Sequence, residues 1–297
     1  MFKQVNNCQI CQSKGNEILS LKYEHLDLIN FFNSYYGIDR SKSIKKMIKD
    51  YDYTLLDCSN CEFIWQLNQP NEILSFELYE NLIDRDQSYE KSIQVLKNSK
   101  RRFVLEAKYL KNFFNNREIN ILDYGAGWGS WLIAIKDVSR NLFATEMSIE
   151  RINHLNLNNI KIVNLKDLKN YKNFFDVIRI EQVLEHVGDI NSLINNLSYV
   201  LKTSGLICIG VPDGNSIIKT KKVKIEKSAT QPLEHLNCFN NKSLKKLMKK
   251  HGFRNIKIRE LIYSHLKDES LSLKKIKFLL SDLRTNLFST SIKFIKV

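Results

Sequence analysis

Proline, glycine and long apolar runs are scarce in this sequence, and each shortage excludes a class of protein. Only 3 prolines and 10 glycines occur among 297 residues, which excludes a collagen-like or low-complexity chain. No apolar run approaches the roughly 18–20 residues that a membrane span needs, and the first residues lack the apolar core of a signal peptide. Because hydrophobic residues still make up 43% of the chain, we expect a globular, cytoplasmic protein of one or two domains.

Acidic residues are also few, with 32 Asp and Glu against 46 Lys and Arg, so the formal net charge is +14. Such an excess is typical of proteins that bind nucleic acid or another polyanion. The lysines are scattered, however, and no basic cluster is interleaved with aromatic residues as in a stacking platform for bases. We therefore favour codon bias as the cause of the charge, while a nucleic-acid partner stays open.

Four of the six cysteines lie near the start of the chain as two Cys-x-x-Cys pairs, which are Cys8 with Cys11 and Cys58 with Cys61. Reduced cysteines at this spacing typically hold zinc through four thiolates. The interval between the pairs is far longer than in a simple zinc ribbon, so we interpret Glu17–Asp57 as an insertion with a helix around Leu26–Tyr36. The sequence predicts a structural zinc site, and four unrelated thiols are the alternative.

From residue 119 onward, short apolar segments alternate with amphipathic ones. Strands are predicted at Ile119–Tyr124, Asn141–Glu146, Ile160–Val163, Phe175–Ile180 and Gly205–Val211. This alternation indicates a parallel sheet covered by helices on both faces. Two later strands are predicted at Phe253–Glu260 and, as an edge strand, at Ser291–Val297. We divide the chain into a zinc-binding and helical region, residues 1–90, and a cofactor-binding domain, residues 91–297.

The strongest motif runs from the first of these strands into a glycine-rich turn, Asp123-Tyr-Gly125-Ala-Gly127-Trp-Gly129. Glycines allow a sharp turn and a close approach of the backbone to a ligand, and open α/β sheets bind ligands at the carboxyl ends of their strands. The next strand ends in Glu146, where an acid can accept both hydroxyls of a ribose. These residues suit a dinucleotide or S-adenosylmethionine, but the glycine spacing departs from the dinucleotide pattern G-x-G-x-x-G.

The motif resembles motif I of the class I S-adenosylmethionine-dependent methyltransferases. The segment FFDVIRIEQVLEHV at residues 174–187 and the segment LKTSGLICIGVP at residues 201–212 resemble later motifs of the same family. The resemblance implies an α/β, Rossmann-like sheet of seven strands, with a small zinc-binding domain before it. It also implies an enzyme that uses S-adenosylmethionine, with cofactor-binding residues Asp123, Gly125, Gly127, Gly129, Glu146, Met147, Asp167 and Glu181.

A narrower resemblance is to bacterial small-molecule methyltransferases, and above all to sugar C-methyltransferases that act on nucleotide-linked deoxysugars. It depends on the two cysteine pairs, motif I and the later Glu-His-Leu-x-x-Phe, residues 234–239. It implies catalytic roles for His235, Glu234 and His186, because a histidine can accept a proton near neutral pH. The group has a tyrosine shortly before Glu-His, whereas this chain has Gln-Pro-Leu at residues 231–233. Methylation of O, N or C therefore stays open.

Two other functions stay open, an RNA methyltransferase and a non-catalytic binding module that keeps the fold. The fourth strand lacks the Asn/Asp-Pro-Pro-Tyr motif with which some methyltransferases hold an exocyclic amine. Gln182 stands where metal-dependent quinone-type relatives have an acid, so we expect no catalytic magnesium. The sequence leaves the methyl acceptor and the oligomeric state undetermined.

Overall fold

A computed structural model describes residues 1–78, 84–225, 228–266 and 273–297 of the chain. They divide into two compact units. We call residues 1–88, 184–191 and 211–247 the knuckle unit, and residues 89–183, 192–210 and 248–297 the sheet unit. The domain boundary at residue 90 stays a prediction.

The strands and helices of the described residues are numbered in chain order. The strands are β1 (Phe2–Gln4), β2 (Asn16–Lys22), β3 (Asp52–Asp57), β4 (Ile64–Gln66), β5 (Asn68–Pro70), β6 (Ile121–Tyr124), β7 (Leu142–Thr145), β8 (Lys161–Ile162), β9 (Phe175–Glu181), β10 (Leu201–Gly210), β11 (Asn237–Cys238), β12 (Phe253–Asn255) and β13 (Ser291–Lys296). The α-helices are α1 (Leu26–Tyr36), α2 (Ile38–Ile48), α3 (Glu72–Glu77), α4 (Arg85–Phe113), α5 (Ser130–Ile135), α6 (Ile149–Leu157), α7 (Ile190–Val200), α8 (Asn215–Thr220), α9 (Asn241–Lys250), α10 (Ile258–Leu266) and α11 (Leu273–Phe288).

The knuckle unit contains an antiparallel sheet in the order β11-β4-β3-β2 and a small pair of β1 with β5. Helix α1 has the bounds that the sequence predicts, and it buries Leu28, Phe32 and Tyr36, which recur at helical spacing on one face. The His25 side chain accepts a hydrogen bond from the Asp27 amide and so caps the start of this helix. The second helix of the insertion, α2, was not predicted.

The sheet unit is built around a seven-stranded sheet in the order β12-β13-β10-β9-β6-β7-β8. Strands β10, β9, β6, β7 and β8 are parallel, as the alternation of strands and helices predicts. The carboxyl ends of these strands therefore meet at one edge of the sheet. That edge carries the glycine turn after β6 and the acid after β7.

Two predictions about the end of the chain are wrong. Ser291–Val297 is not an edge strand, because β13 pairs in antiparallel fashion with β10 on one side and β12 on the other. The predicted strand Phe253–Glu260 ends at Asn255, and α10 follows it. A helix starts there because the Glu260 carboxylate accepts the Lys257 amide at 2.7 Å, which caps the first turn.

None of the described helices is both long enough and apolar enough to cross a membrane.

Candidate functional site

The glycine turn after β6 has a backbone that only glycine adopts without strain. Gly125, Gly127 and Gly129 have φ values of 72°, 58° and 72°. A side chain at Gly129 would also place its Cβ 2.3 Å from Leu155 Cδ2, whereas no atom lies within 4 Å of the same position at Gly127. The turn therefore packs tightly at its end and leaves its middle open to a ligand.

Glu146 follows β7 and fixes the turn through its carboxylate. Its Oε2 accepts the Gly127 amide at 2.9 Å, and its Oε1 accepts the Met147 and Ser148 amides at 2.8 and 3.2 Å. Arg151 Nη1 lies 3.9 Å from the same carboxylate. The predicted ribose acceptor is thus oriented beside the glycine turn by backbone donors.

Asp123, at the end of β6, is 2% exposed and belongs to a cluster of charges with Arg179 and the half-exposed Glu181. Arg179 Nη1 lies 3.3 Å from Asp123 Oδ1, and Arg179 Nη2 lies 3.5 Å from Glu181 Oε2. Burial raises the pKa of Asp123 to about 6 despite the attraction of Arg179. The structure brings the predicted residues Asp123 and Glu181 together through an arginine that sequence reasoning missed.

The last two predicted cofactor residues lie on the surface. Met147 is 71% exposed and precedes α6. Asp167 is exposed in a 3₁₀ turn after β8, where its Oδ2 accepts a hydrogen bond from the Asn164 side chain at 3.4 Å. Both side chains are therefore accessible to a ligand at this edge of the sheet.

The four predicted zinc ligands come together in the knuckle unit. Sγ of Cys8 lies 3.3 Å from Sγ of Cys61, and Sγ of Cys11 lies 3.4 Å from Sγ of Cys58 and 3.5 Å from Sγ of Cys61. Tetrahedral zinc with sulfur ligands at ~2.3 Å separates them by about 3.8 Å. These four thiols therefore fit a zinc ion in number, chemistry and spacing.

The predicted catalytic residues form a second cluster in the knuckle unit. The rings of His186 and His235 are in contact, with centroids 4.8 Å apart and planes at 80°. His186 Nδ1 lies 2.9 Å from the backbone oxygen of Glu234, so Nδ1–H donates and Nε2 keeps its lone pair. The buried Glu185 carboxylate lies 3.9 Å from that Nε2. Donor atoms of Glu185, His186 and His235 all lie within 4.8 Å of one another, a set that could also hold a cation.

Two side-chain amides, from strands far apart in the sequence but paired in the sheet, hold the segments that carry these histidines. Gln66 Nε2, at the end of β4, donates to the backbone oxygens of His235 and Gln231 at 2.9 and 3.1 Å. Asn237 Nδ2, in β11, donates to the backbone oxygens of Leu184 and Val187 at 3.2 and 2.7 Å. The pairing of β11 with β4 therefore fixes both histidine-bearing segments.

Burial keeps both histidines neutral. It lowers the pKa of His186 to about 4 and, together with the neighbouring His186, the pKa of His235 to about 3. Each ring therefore keeps a free lone pair at neutral pH, but burial makes both rings weak bases. His235 is only 8% exposed, and its Nδ1 has no hydrogen-bond partner among the described residues.

A tyrosine that sequence reasoning missed completes this cluster. The hydroxyl of Tyr36, at the end of α1, donates to Glu234 Oε1 at 2.5 Å. Burial raises the pKa of Glu234, and the hydrogen bond from Tyr36 opposes that rise. The two residues are 198 positions apart, so no local signal links them. Arg179 did carry a signal, because an arginine is out of place in the buried strand FDVIRIE.

Comparisons with known proteins agree with the motif analysis. A family model described as a methyltransferase domain matches residues 98–258, which is 161 of the 297 residues. No curated protein matches the sequence.

Several solved structures are similar at low identity. The plantazolicin methyltransferase BamL, solved with a triazolic desmethylPZN analogue and SAH, is 16% identical, with a TM-score of 0.48, over 75% of this chain and 94% of that chain. The plantazolicin methyltransferase BpumL, solved with a monoazolic analogue and SAH, is 19% identical, with a TM-score of 0.46, over 75% and 93%. A SAM-dependent methyltransferase of Thermotoga maritima, described as a possible histamine N-methyltransferase, is 17% identical, with a TM-score of 0.40, over 57% and 78%.

Proposed function

The chain belongs to the methyltransferase domain family and is an S-adenosylmethionine-dependent methyltransferase; from that premise we propose that it methylates a small molecule, in particular a nucleotide-linked sugar, with the help of histidines. The observation that carries the proposal is the open glycine turn beside the oriented Glu146 carboxylate. An acid after the second strand is the group that binds ribose hydroxyls in sheets of this kind.

The cofactor-binding set is Asp123, Gly125, Gly127, Gly129, Glu146, Met147, Asp167 and Glu181. Six of these residues belong to the glycine turn or to the ends of β6, β7 and β9, which are carboxyl ends of parallel strands. Glu146 would accept the ribose hydroxyls, and the Gly125–Gly129 turn would lie beneath the amino-acid end of the cofactor. When bound, S-adenosylmethionine supplies a methyl group on a sulfonium that is already activated.

In this proposal His235 accepts the proton of the methyl acceptor, Glu234 orients His235, and His186 acts on the same substrate. The contact between the two rings and the bond from His186 Nδ1 to the Glu234 backbone oxygen support the histidine roles. Holding acceptor and methyl group in line can supply roughly 7–11 kcal/mol of barrier reduction, and a general base adds roughly 10²–10⁴-fold. The related sugar C-methyltransferases have a tyrosine shortly before Glu-His, and this chain lacks it at residues 231–233. Tyr36, which donates a hydrogen bond to Glu234, places a tyrosine next to that residue instead.

The cysteine cluster binds a structural zinc ion in this proposal. Four thiols in contact, three of them buried, suit a closed tetrahedral site without an open position for chemistry. The ion would hold the turns around Cys8 and Cys58 together.

The cofactor site is tested by calorimetric titration with S-adenosylmethionine. We expect the wild type to bind and Glu146→Ala to lose about 1–3 kcal/mol of binding free energy, because hydrogen bonds to a charged group are left unmade. Glu150→Ala is the matched control, since Glu150 is a nearby acid in the first turn of α6 and should leave the affinity unchanged. Equal affinity of wild type and Glu146→Ala would contradict the assignment.

The acceptor class is tested by transfer of a labelled methyl group to a panel of nucleotide-linked sugars, with transfer RNA as the competing acceptor. We expect label in the sugar fraction. Label in RNA, with binding that weakens steeply as salt is added, would favour the nucleic-acid alternative.

A further inference from the structure

An arginine inside the parallel sheet faces the acid of the cofactor motif. Arg179 of β9 pairs in register with Asp123 of β6 on one side and with Cys208 of β10 on the other. Its guanidinium contacts the carboxylates of both Asp123 and Glu181. We propose that Arg179 is a positioning residue of the cofactor site, which orients both carboxylates for the cationic amino-acid end of the cofactor.

The guanidinium is itself held in place. Its Cζ lies 5.0 Å from the ring centroid of Trp131 in α5, and the indole Nε1 donates to Glu106 Oε2 at 3.1 Å. The Arg179 side chain is 16% exposed. A guanidinium that lies over an aromatic face and is paired with two acids has little freedom. Arg179 can therefore orient the carboxylates rather than follow them.

The charges around Arg179 do not balance. Among the described residues, the carboxylates of Asp123, Glu181 and Glu106 act on this cation. Lys293, a second buried cation near Glu106, is paired with Asp282. The group therefore carries excess negative charge, which a ligand with an ammonium or sulfonium would neutralise and which the phosphates of a dinucleotide would increase.

Removing the arginine would act through Asp123. Burial pushes the pKa of this carboxyl upward, and Arg179 is the group that opposes it, while Glu181 and Glu106 add to the rise. Without the guanidinium, Asp123 would be protonated near neutral pH and would no longer attract a cation. The inference rests on the proposed function in one respect, that this site binds S-adenosylmethionine.

The test is calorimetric titration with S-adenosylmethionine across pH for wild type, Arg179→Gln, Arg179→Lys and Asp123→Asn. The wild-type affinity should rise as the pH increases through about 6 and then level off. Arg179→Gln should bind about 10–100-fold more weakly at neutral pH, and its midpoint should move up by at least about one unit. Arg179→Lys keeps the positive charge, so its affinity and its pH midpoint should lie between those of the wild type and Arg179→Gln.

Two controls separate positioning from general damage. Arg254→Gln breaks an arginine–carboxylate pair with Glu260 elsewhere in the sheet unit and should leave cofactor affinity unchanged. In the Asp123→Asn background, Arg179→Gln should weaken binding far less than in wild type, because the group it acts through is already neutral.

Failure of the inference differs from failure of the proposed function. A wild type that binds S-adenosylmethionine, with Arg179→Gln and Arg179→Lys binding equally well over the same pH range, overturns the role of Arg179 alone. An affinity loss in Arg179→Gln that is independent of pH and equally large with Asp123→Asn also overturns it. A wild type that does not bind the cofactor overturns the proposed function.

Discussion

In the sheet unit, most of the candidate cofactor site comes from one run of sequence, residues 121–129, and from the ends of neighbouring parallel strands. In the knuckle unit, the cysteine and histidine clusters are assembled from residues near 8, 60, 186 and 235. The first arrangement follows from strand order, whereas the second depends on side-chain contacts between distant segments. The comparison teaches that strand order places a site built from one run of sequence, whereas contacts between distant segments, such as that of Tyr36 with Glu234, are visible only in the structure.

The two units also differ in how their polar groups are satisfied. Buried charges of the sheet unit pair with one another, as Arg179 does with Asp123. The knuckle unit instead holds the neutral His186 imidazole against the backbone oxygen of Glu234 and gathers thiols that suit a metal. We therefore expect metal removal to act on the knuckle unit and pH to act on the charged group of the sheet unit.

The largest expected effect is loss of zinc from the knuckle unit. Binding of structural zinc is coupled to folding and is worth on the order of 10 kcal/mol, so Cys61→Ser should lose the ion and the resistance of residues 1–88 to protease. Metal analysis and limited proteolysis measure both. Cys238→Ala, at a buried cysteine of the same unit outside the cluster, should keep one zinc per chain. A wild type without zinc would show that the four cysteines do not hold a structural metal ion.

The next effect concerns the histidine cluster. His235→Gln should lower turnover by roughly 10²–10⁴-fold, because glutamine cannot accept the proton, while calorimetric affinity for S-adenosylmethionine stays nearly unchanged. His25→Gln is the matched control, since His25 is half-exposed at the start of α1. If the two variants turn over alike, the chemistry does not depend on this cluster.

The regular parts of the fold could be predicted because periodicity and chain order determine them. Strand β6 and the helix Leu26–Tyr36 follow from local patterns of apolar residues. The position of β13 between β10 and β12 could not be predicted, because its alternating sequence suits an edge or an interior strand equally. The capped turn at Glu260 was missed because an apolar segment of that length suits a strand or a helix.

The site shows the same limit. Spacing alone identified the four cysteines and the glycine turn, and the structure brings each set together. Tyr36 was missed because its contact with Glu234 joins segments 198 positions apart. Glu185 precedes His186 and was passed over, since nothing in the sequence marked its carboxylate as buried against the two rings.

The smallest effect sharpens the electrostatic side of the comparison. The pKa of Asp123 is about 6 in the folded protein against an ordinary value of 3.8, so the folded state binds the extra proton between these values. Stability contributed by this group is therefore present at low pH and is lost as the pH rises through 6. Relative to Asp123→Asn, the wild type should lose about 2 kcal/mol of unfolding free energy from about pH 4 to about pH 7.

Asp176 provides the control of opposite sign in the same unit. Burial alone would raise its pKa, but hydrogen bonds from Arg117, the Asn120 amide and Lys202 hold it below the ordinary value. The wild type should therefore gain stability relative to Asp176→Asn as the pH rises toward the ordinary carboxyl range. Urea unfolding of both pairs at each pH measures the two differences. The Asp176 difference should change below about pH 5 and be flat above it, whereas the Asp123 difference should change between about pH 4 and pH 7. A wild type that does not lose stability relative to Asp123→Asn in that upper range would mean that burial does not raise the pKa of Asp123.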